Sequence, residues 1–314
     1  MVRRETQNDF ACRVCRRKDH GREKRQVIMI VSASRRTDIP AFFSDWFFHR
    51  IRQGYCLVRQ PMNPRRVARV KLTPDVVDAF VFWSKNPTPL LNRLDELGNW
   101  PFYFQFTLNP YGDDIEPFVP SRQSVVIPTF KRLADRIGPE RIMWRYDPIV
   151  LSDRHTPDWH EEQFDLLAKS LAGYAHRCTI SFLIPYRKIS SAVREFNFYS
   201  PEEDAARELV RSLVQIGRSH GFDLYGCSLA TDFSFEGLRK AHCIDRELLE
   251  TICGSSLRLT KDTGQRKECG CVASIDIGTY GTCAHGCCYC YASHGHAAID
   301  IASFDPTSPI LGSL

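Results

Sequence analysis

Near the C-terminus, Cys283, Cys287 and Cys290 follow one another with the spacing C-x-x-x-C-x-x-C, and Tyr289 stands just before the last of them. Gly281 and Gly286 interrupt any regular pattern, so the stretch reads as a loop and not a helix face. Three thiolates in so short a loop can converge on one metal centre. A 4Fe–4S cluster normally takes four cysteines; three leave one iron open to a small molecule, which turns an electron carrier into a reaction site. The alternative is a zinc knuckle, because close cysteine pairs also suit a tetrahedral zinc ion. Cys288 reads as a bystander, since adjacent cysteines rarely reach one centre. A second set, Cys227, Cys243, Cys269 and Cys271, would supply the four ligands of a second iron–sulfur cluster or a zinc site; the alternative is that Cys227 and Cys243 are ordinary small core residues. Cys56, Cys178 and Cys253 read as core residues.

The composition sets the frame for these cysteines. The chain has 314 residues, 43% of them hydrophobic and 13 of them cysteine. That length buries a large core, as one barrel-sized domain or two smaller ones. No apolar run is long enough to span a bilayer, and no secretory signal is evident. The expected location is the cytoplasm, where cysteines in such number point to metal and not to disulfides. The first 28 residues carry nine Lys or Arg against four acids, so the whole net charge of +5 sits there and the remainder is neutral. The body therefore has no electrostatic footprint for nucleic acid. Residues 1–28, with Cys12 and Cys15, are expected to be a disordered basic extension, and Met29 is expected to be the true start of translation.

From residue 28 onward, buried strands alternate with amphipathic helices. The strands are expected at 28–34, 55–60, 78–84, 102–109, 141–150, 179–184, 223–227 and 273–277. Helices are expected at about 40–54, 88–97, 121–137, 158–174, 202–221 and 246–253, with Asp38 as a cap and Pro40 in the first turn. The clearest strand has Phe102, Phe104, Phe106 and Leu108 on one face and Tyr103, Gln105, Thr107 and Asn109 on the other. Alternation of this kind favours parallel βα units. Eight strands, several with one polar face, predict an α/β fold, a (β/α) barrel, complete or partial, with an open doubly wound sheet as the other arrangement. One domain is expected over 29–296, including the cysteine loop at 264–293, followed by a loosely structured tail at 297–314.

The stretches SASRRTDIPA (32–41), FWSKNP (82–87), FQFTLNPYGDD (104–114), MWRYDPI (143–149), CIDRELLE (243–250) and TCAHGCCYCYA (282–292) together resemble the bacterial domain-of-unknown-function family 1848. That family is marked by a C-terminal cysteine cluster similar to that of radical S-adenosylmethionine (SAM) enzymes. The resemblance covers about residues 29–293. It implies a 4Fe–4S cluster on Cys283, Cys287 and Cys290 with Tyr289 beside it, SAM bound at the open iron, and reductive release of a 5′-deoxyadenosyl radical. It also implies an electron donor such as flavodoxin or ferredoxin. Two features depart from ordinary radical SAM enzymes. The cysteine loop follows the last strand instead of the first, and no Gly-Gly-Glu motif is present. If the first and last strands are neighbours, the permuted order still preserves the spatial site.

Active sites of such barrels lie at the carboxyl ends of the strands. There the sequence places Arg35, Arg36, Asp38, Arg59, Lys85, Asn86, Thr107, Asn109, Arg145 and Asp147. Arg35, Arg36 or Arg145 is expected to hold the SAM carboxylate or an anionic, small-molecule substrate, and Asp38 or Asp147 a ribose hydroxyl; the plain alternative is an Arg145–Asp147 pair. His285 is expected to hydrogen-bond a cluster sulfide, to donate a proton, or simply to face solvent. The function expected is a radical-SAM-like enzyme. The alternatives are an electron-transfer or sensing protein without SAM chemistry, and a zinc-stabilised barrel acting as a hydrolase or nuclease.

Overall fold

The computed structural model describes residues 28–266, 268–293 and 298–312; residues 1–27 of the basic extension, with Cys12 and Cys15, lie outside the described residues. The elements in chain order are β1 (Met29–Ala33), α1 (Ile39–Phe42), α2 (Ser44–Gln53), β2 (Tyr55–Gln60), β3 (Asn63–Lys71), β4 (Val77–Ser84), α3 (Thr88–Leu91) and β5 (Phe102–Thr107). They continue with α4 (Ile127–Ile137), β6 (Ile142–Ile149), α5 (Pro157–Leu171), β7 (Arg177–Phe182), α6 (Ser190–Glu195), α7 (Glu203–Ser219), β8 (Asp223–Gly226), β9 (Arg239–Lys240), α8 (Arg246–Cys253) and β10 (Ile275–Asp276). The fold is α/β, built on one eight-stranded sheet in the order β10-β1-β4-β5-β6-β7-β8-β9, in which every neighbouring pair is parallel.

The strand order advances without reversal from β1 to β9, unlike a doubly wound sheet, whose order turns back at a switch point. First and last strands are neighbours, with Val31 opposite Ile275 and Ser32 opposite Asp276. No pair joins β9 to β10 among the described residues, so hydrogen bonding leaves the sheet open. Two expectations are corrected here. Residues 55–60 do not enter this sheet. They form β2 of a separate antiparallel hairpin with β3, which takes Arg59 away from the sheet's carboxyl edge. The eighth strand is instead the two-residue β9. The helix expected over 40–54 divides at Phe43, which leaves helical geometry (φ −131°) and caps α1.

Period two sorts the sheet into two buried faces. On one, Phe80, Phe82, Phe104, Phe106, Trp144 and Tyr146 pack against helix residues such as Phe47, Phe130 and Phe164. On the other, Ile30, Ala79, Val81, Tyr103 and Met143 meet Leu248, Leu249 and Ile252 of α8 and the run from Leu257 to Val272. The inner face is thus sealed by the segment between β9 and β10. Residues 298–312 carry one short 3-10 turn and are held by Trp46 Nε1 on Ser308 O (2.8 Å), Arg50 on Thr307 O (2.9 Å) and Leu57 N on Pro309 O (2.8 Å). No helix among the described residues is long and apolar enough to cross a membrane.

His160, fully buried on α5, ties α5 to β6. Its ring lies 2.7 Å from the Tyr146 hydroxyl at Nδ1 and 3.0 Å from Val150 O at Nε2. The neutral ring satisfies both, with Nε2–H donating to the carbonyl and Nδ1 accepting from the tyrosine. Burial pulls its pKa down to about 4. In the unfolded chain the ring titrates near about 6.5. Stability from this site is therefore complete above that pH and is lost as pH falls towards 4, by roughly 3 kcal/mol. His160→Gln should flatten the pH dependence of the urea midpoint across that window; an unchanged slope would contradict the assignment.

Candidate functional site

The cysteine loop leaves β10 and folds back on itself, with Gly281 N donating to Ala292 O at 2.8 Å. Gly286 sits at φ +66°, and a side chain there would meet the Phe118 ring at 2.7 Å, so only glycine fits. The loop docks on the carboxyl edge of the sheet through Phe118 N to His285 O (3.2 Å) and Cys288 N to Ile115 O (3.0 Å). Cys287, Cys288 and Tyr289 join Tyr111, Ile115, Val150 and Phe198 in a small apolar core of their own.

The three spaced cysteines share one electrostatic field. Burial pushes the Cys283 thiol up to about 12, with Asp38 and Cys290 adding to it. Burial also raises Cys287, opposed by the Lys85 ammonium and reinforced by Glu116, Cys290 and Cys283. Cys288 is likewise raised to about 12 by burial, with Glu116 and Asp114 adding to it. Cys287 is buried and Cys283 and Cys290 are half-buried; the thiols of Cys283 and Cys287 are costly to ionise there without a cation, a cost that a metal centre relieves.

His285, 2% exposed, directs Nε2 to Asp38 Oδ2 at 2.8 Å, while its Nδ1 is buried without a partner. Asp38 also caps α1 through Ala41 N (2.9 Å) and accepts from Lys85 N (2.8 Å). One carboxylate thus links β1, β4 and the cysteine loop.

A second buried carboxylate, absent from the residues picked out in the sequence, anchors the loop from β5. Glu116 is 1% exposed. It accepts from Lys85 Nζ at 2.7 Å, Arg122 Nη2 at 3.0 Å, Asn109 Nδ2 at 3.3 Å and the Tyr289 hydroxyl. Burial acts to raise its pKa, but Lys85 and Arg122 outweigh burial and hold the carboxyl below its usual range. Lys85 also lies 5.6 Å from the centre of the Tyr289 ring. Asp276, likewise missed, closes the β1–β10 junction. It accepts from Ser32 Oγ (2.8 Å), Ser34 Oγ (2.6 Å), Arg35 N (2.8 Å) and Gly278 N (3.0 Å). The guanidinium groups of Arg35 and Arg36 stand 3.9 and 3.8 Å from it.

The structure therefore brings Asp38 to Cys283, Lys85 to Cys287 and Asn109 to Tyr289, whereas Arg35 and Arg36 stand on Asp276, with Arg35 also near Asp262 and in the field of Cys271 and Cys243. Arg145 and Asp147 pair with each other, and Asn109 Oδ1 accepts from Asp147 N at 2.9 Å. Arg145 points to the other cysteine set, with Nη1 2.9 Å from Cys243 Sγ and 3.1 Å from Gln105 Oε1. In that set, Cys227 and Cys243 lie 3.4 Å apart, Cys243 contacts Cys271, and Cys271 contacts Cys269. A hydrogen bond from Cys271 lowers Cys269 to about 7. Among the described residues, no group of three or more His, Cys, Asp or Glu side chains is set for a metal ion. In donor type, the three spaced thiols of the loop suit an iron–sulfur centre.

These features define an α/β protein with a parallel sheet whose carboxyl edge carries a cysteine-rich loop. The chain belongs to the family described as domain of unknown function (DUF1848), which matches residues 30–292. No curated protein matches it.

Proposed function

We propose that the chain is a radical-SAM-like iron–sulfur enzyme on a partly closed (β/α) barrel, with Cys283, Cys287 and Cys290 as the ligands of a 4Fe–4S cluster. The observation that carries this reading is the seating of the cysteine loop at the strand edge, where Glu116 holds Tyr289, Asp38 holds His285, and Lys85 bears on Cys287. When bound, the cluster supplies reducing electrons and, with SAM on its open iron, radical chemistry.

The chain's own residues do the positioning. Lys85 favours the thiolate of Cys287. Asp38 accepts from Nε2–H of His285 and orients the ring, whose Nδ1 accepts in the neutral form and donates or passes a proton as the imidazolium. Glu116 fixes Tyr289 behind the last cysteine. Arg35 and Arg36, half-buried at the edge, are the groups for a carboxylate, either that of SAM or that of an anionic substrate. The setting is the reducing cytoplasm, with a flavodoxin or ferredoxin as electron donor.

Iron and sulfide analysis after anaerobic reconstitution tests the ligand set. About four irons per chain are expected in the wild type and in Cys288→Ala. Cys283→Ala, Cys287→Ala and Cys290→Ala should each lose most of them. Equal loss in Cys288→Ala, or zinc held by the loop in place of iron, would overturn the reading.

A further inference from the structure

The cysteines outside the loop fall into two kinds. Cys56 and Cys178 are fully buried among apolar side chains of the helix-covered face, as core thiols are. Cys227, Cys243, Cys269 and Cys271 instead lie near one another, although they come from the end of β8, the turn after β9 and the run into β10: the Cys227 and Cys243 sulfurs are 3.4 Å apart, Ile244 N reaches Cys271 Sγ, and Cys271 interacts with both Cys243 and Cys269. A disulfide does not explain the contact, because 3.4 Å between Cys227 and Cys243 is far beyond an S–S bond of about 2 Å, and Cys243 has two sulfur neighbours. Two hydrogen-bond donors reach these sulfurs. The buried Arg145 guanidinium donates to Cys243 Sγ at 2.9 Å, and Ile244 N donates to Cys271 Sγ at 3.4 Å.

The geometry points to a second metal centre, in which Cys227, Cys243, Cys269 and Cys271 bind one zinc-type ion as a closed four-thiolate site. A tetrahedral ion with zinc–sulfur bonds of about 2.3 Å sets its sulfurs roughly 3.8 Å apart, close to the Cys227–Cys243 separation. A cubane cluster carries each cysteine on a different iron and needs sulfurs held farther apart. Among the described residues the sulfurs are not set as a metal shell, so binding the ion would require Cys269 and Cys271 to swing onto the first pair. Four thiolates around a divalent ion leave two negative charges. Arg145 meets one, and Arg35 lies in the field of Cys271 and Cys243. The Cys243 carbonyl is held by Tyr103 (2.6 Å) and Gln105 (3.0 Å), so the site is fastened to β5 as well. The ion would clip the segment covering the inner face to β8 and fix the run that leads through β10 into the cysteine loop.

The test is metal analysis with zinc-edge X-ray absorption on the full chain, purified without oxygen from cells supplied with zinc and iron. About one zinc per chain is expected, with four sulfur ligands at about 2.3 Å. The zinc should persist in Cys283→Ala/Cys287→Ala/Cys290→Ala and vanish from Cys243→Ser/Cys271→Ser. Should the latter variant fail to fold, the ligand count of the wild type decides. A zinc-free wild type, zinc bound by fewer than four sulfurs, or iron in place of zinc at these cysteines would overturn the proposal. The readout is zinc, so it is separate from the iron that tests the loop.

Discussion

Replacing Glu116 with alanine is expected to destabilise the protein by on the order of 3–5 kcal/mol and to free the cysteine loop from the sheet. The size follows from what would be left behind. Lys85 and Arg122 lose the one carboxylate that both contact, and Lys85 is 13% exposed at its side chain. Tyr289 and Asn109 lose the same acceptor. An unpaired buried charge costs far more than the pair contributes net. Glu116→Gln keeps the shape and one acceptor oxygen but not the charge, so it should fall between the wild type and alanine. Urea denaturation measures the loss, and iron retention after gel filtration reports the loop. A midpoint within error of wild type, with iron intact, would mean that the loop is anchored elsewhere.

Asp276→Ala is expected to have an effect of similar size by a different route. Its carboxylate accepts from two serine hydroxyls and two backbone N–H groups, all at the junction of β1 and β10. Each buried donor left without an acceptor costs about 1–3 kcal/mol, less whatever water recovers. β10 is only two residues long and pairs with β1 alone, so little else holds the approach to the cysteine loop. Hydrogen exchange should therefore quicken first at Ile277 and Gly281, whose N–H groups bond to Ser32 O and Ala292 O. Exchange at wild-type rates in those amides would show that the junction does not depend on Asp276.

What could be read from the sequence was local. The cysteine spacing, the two-faced strand at Phe102–Thr107 and helix α8 all lie within single short windows, where side-chain period or spacing carries the signal. What was missed depended on distant partners. Tyr55–Gln60 has a strand's pattern whichever sheet it joins; its antiparallel partner is the arginine-rich Asn63–Lys71, which gives no apolar alternation strong enough to mark it. β9 is two exposed residues, below the length at which periodicity can be seen. Glu116 and Asp276 are single acids in otherwise ordinary stretches, and their importance arises only where Lys85, Arg122, Ser32 and Ser34 converge on them. A lone acid inside the apolar run SIDIG was the one available sign for Asp276.

The most direct test of the iron–sulfur reading is EPR of the anaerobically purified, dithionite-reduced protein, recorded with and without SAM. The predicted result is a reduced 4Fe–4S signal that disappears when Cys283, Cys287 and Cys290 are replaced by alanine and whose g-values move when SAM is added. A signal indifferent to SAM, or no cluster signal with zinc held by the loop in its place, would contradict it.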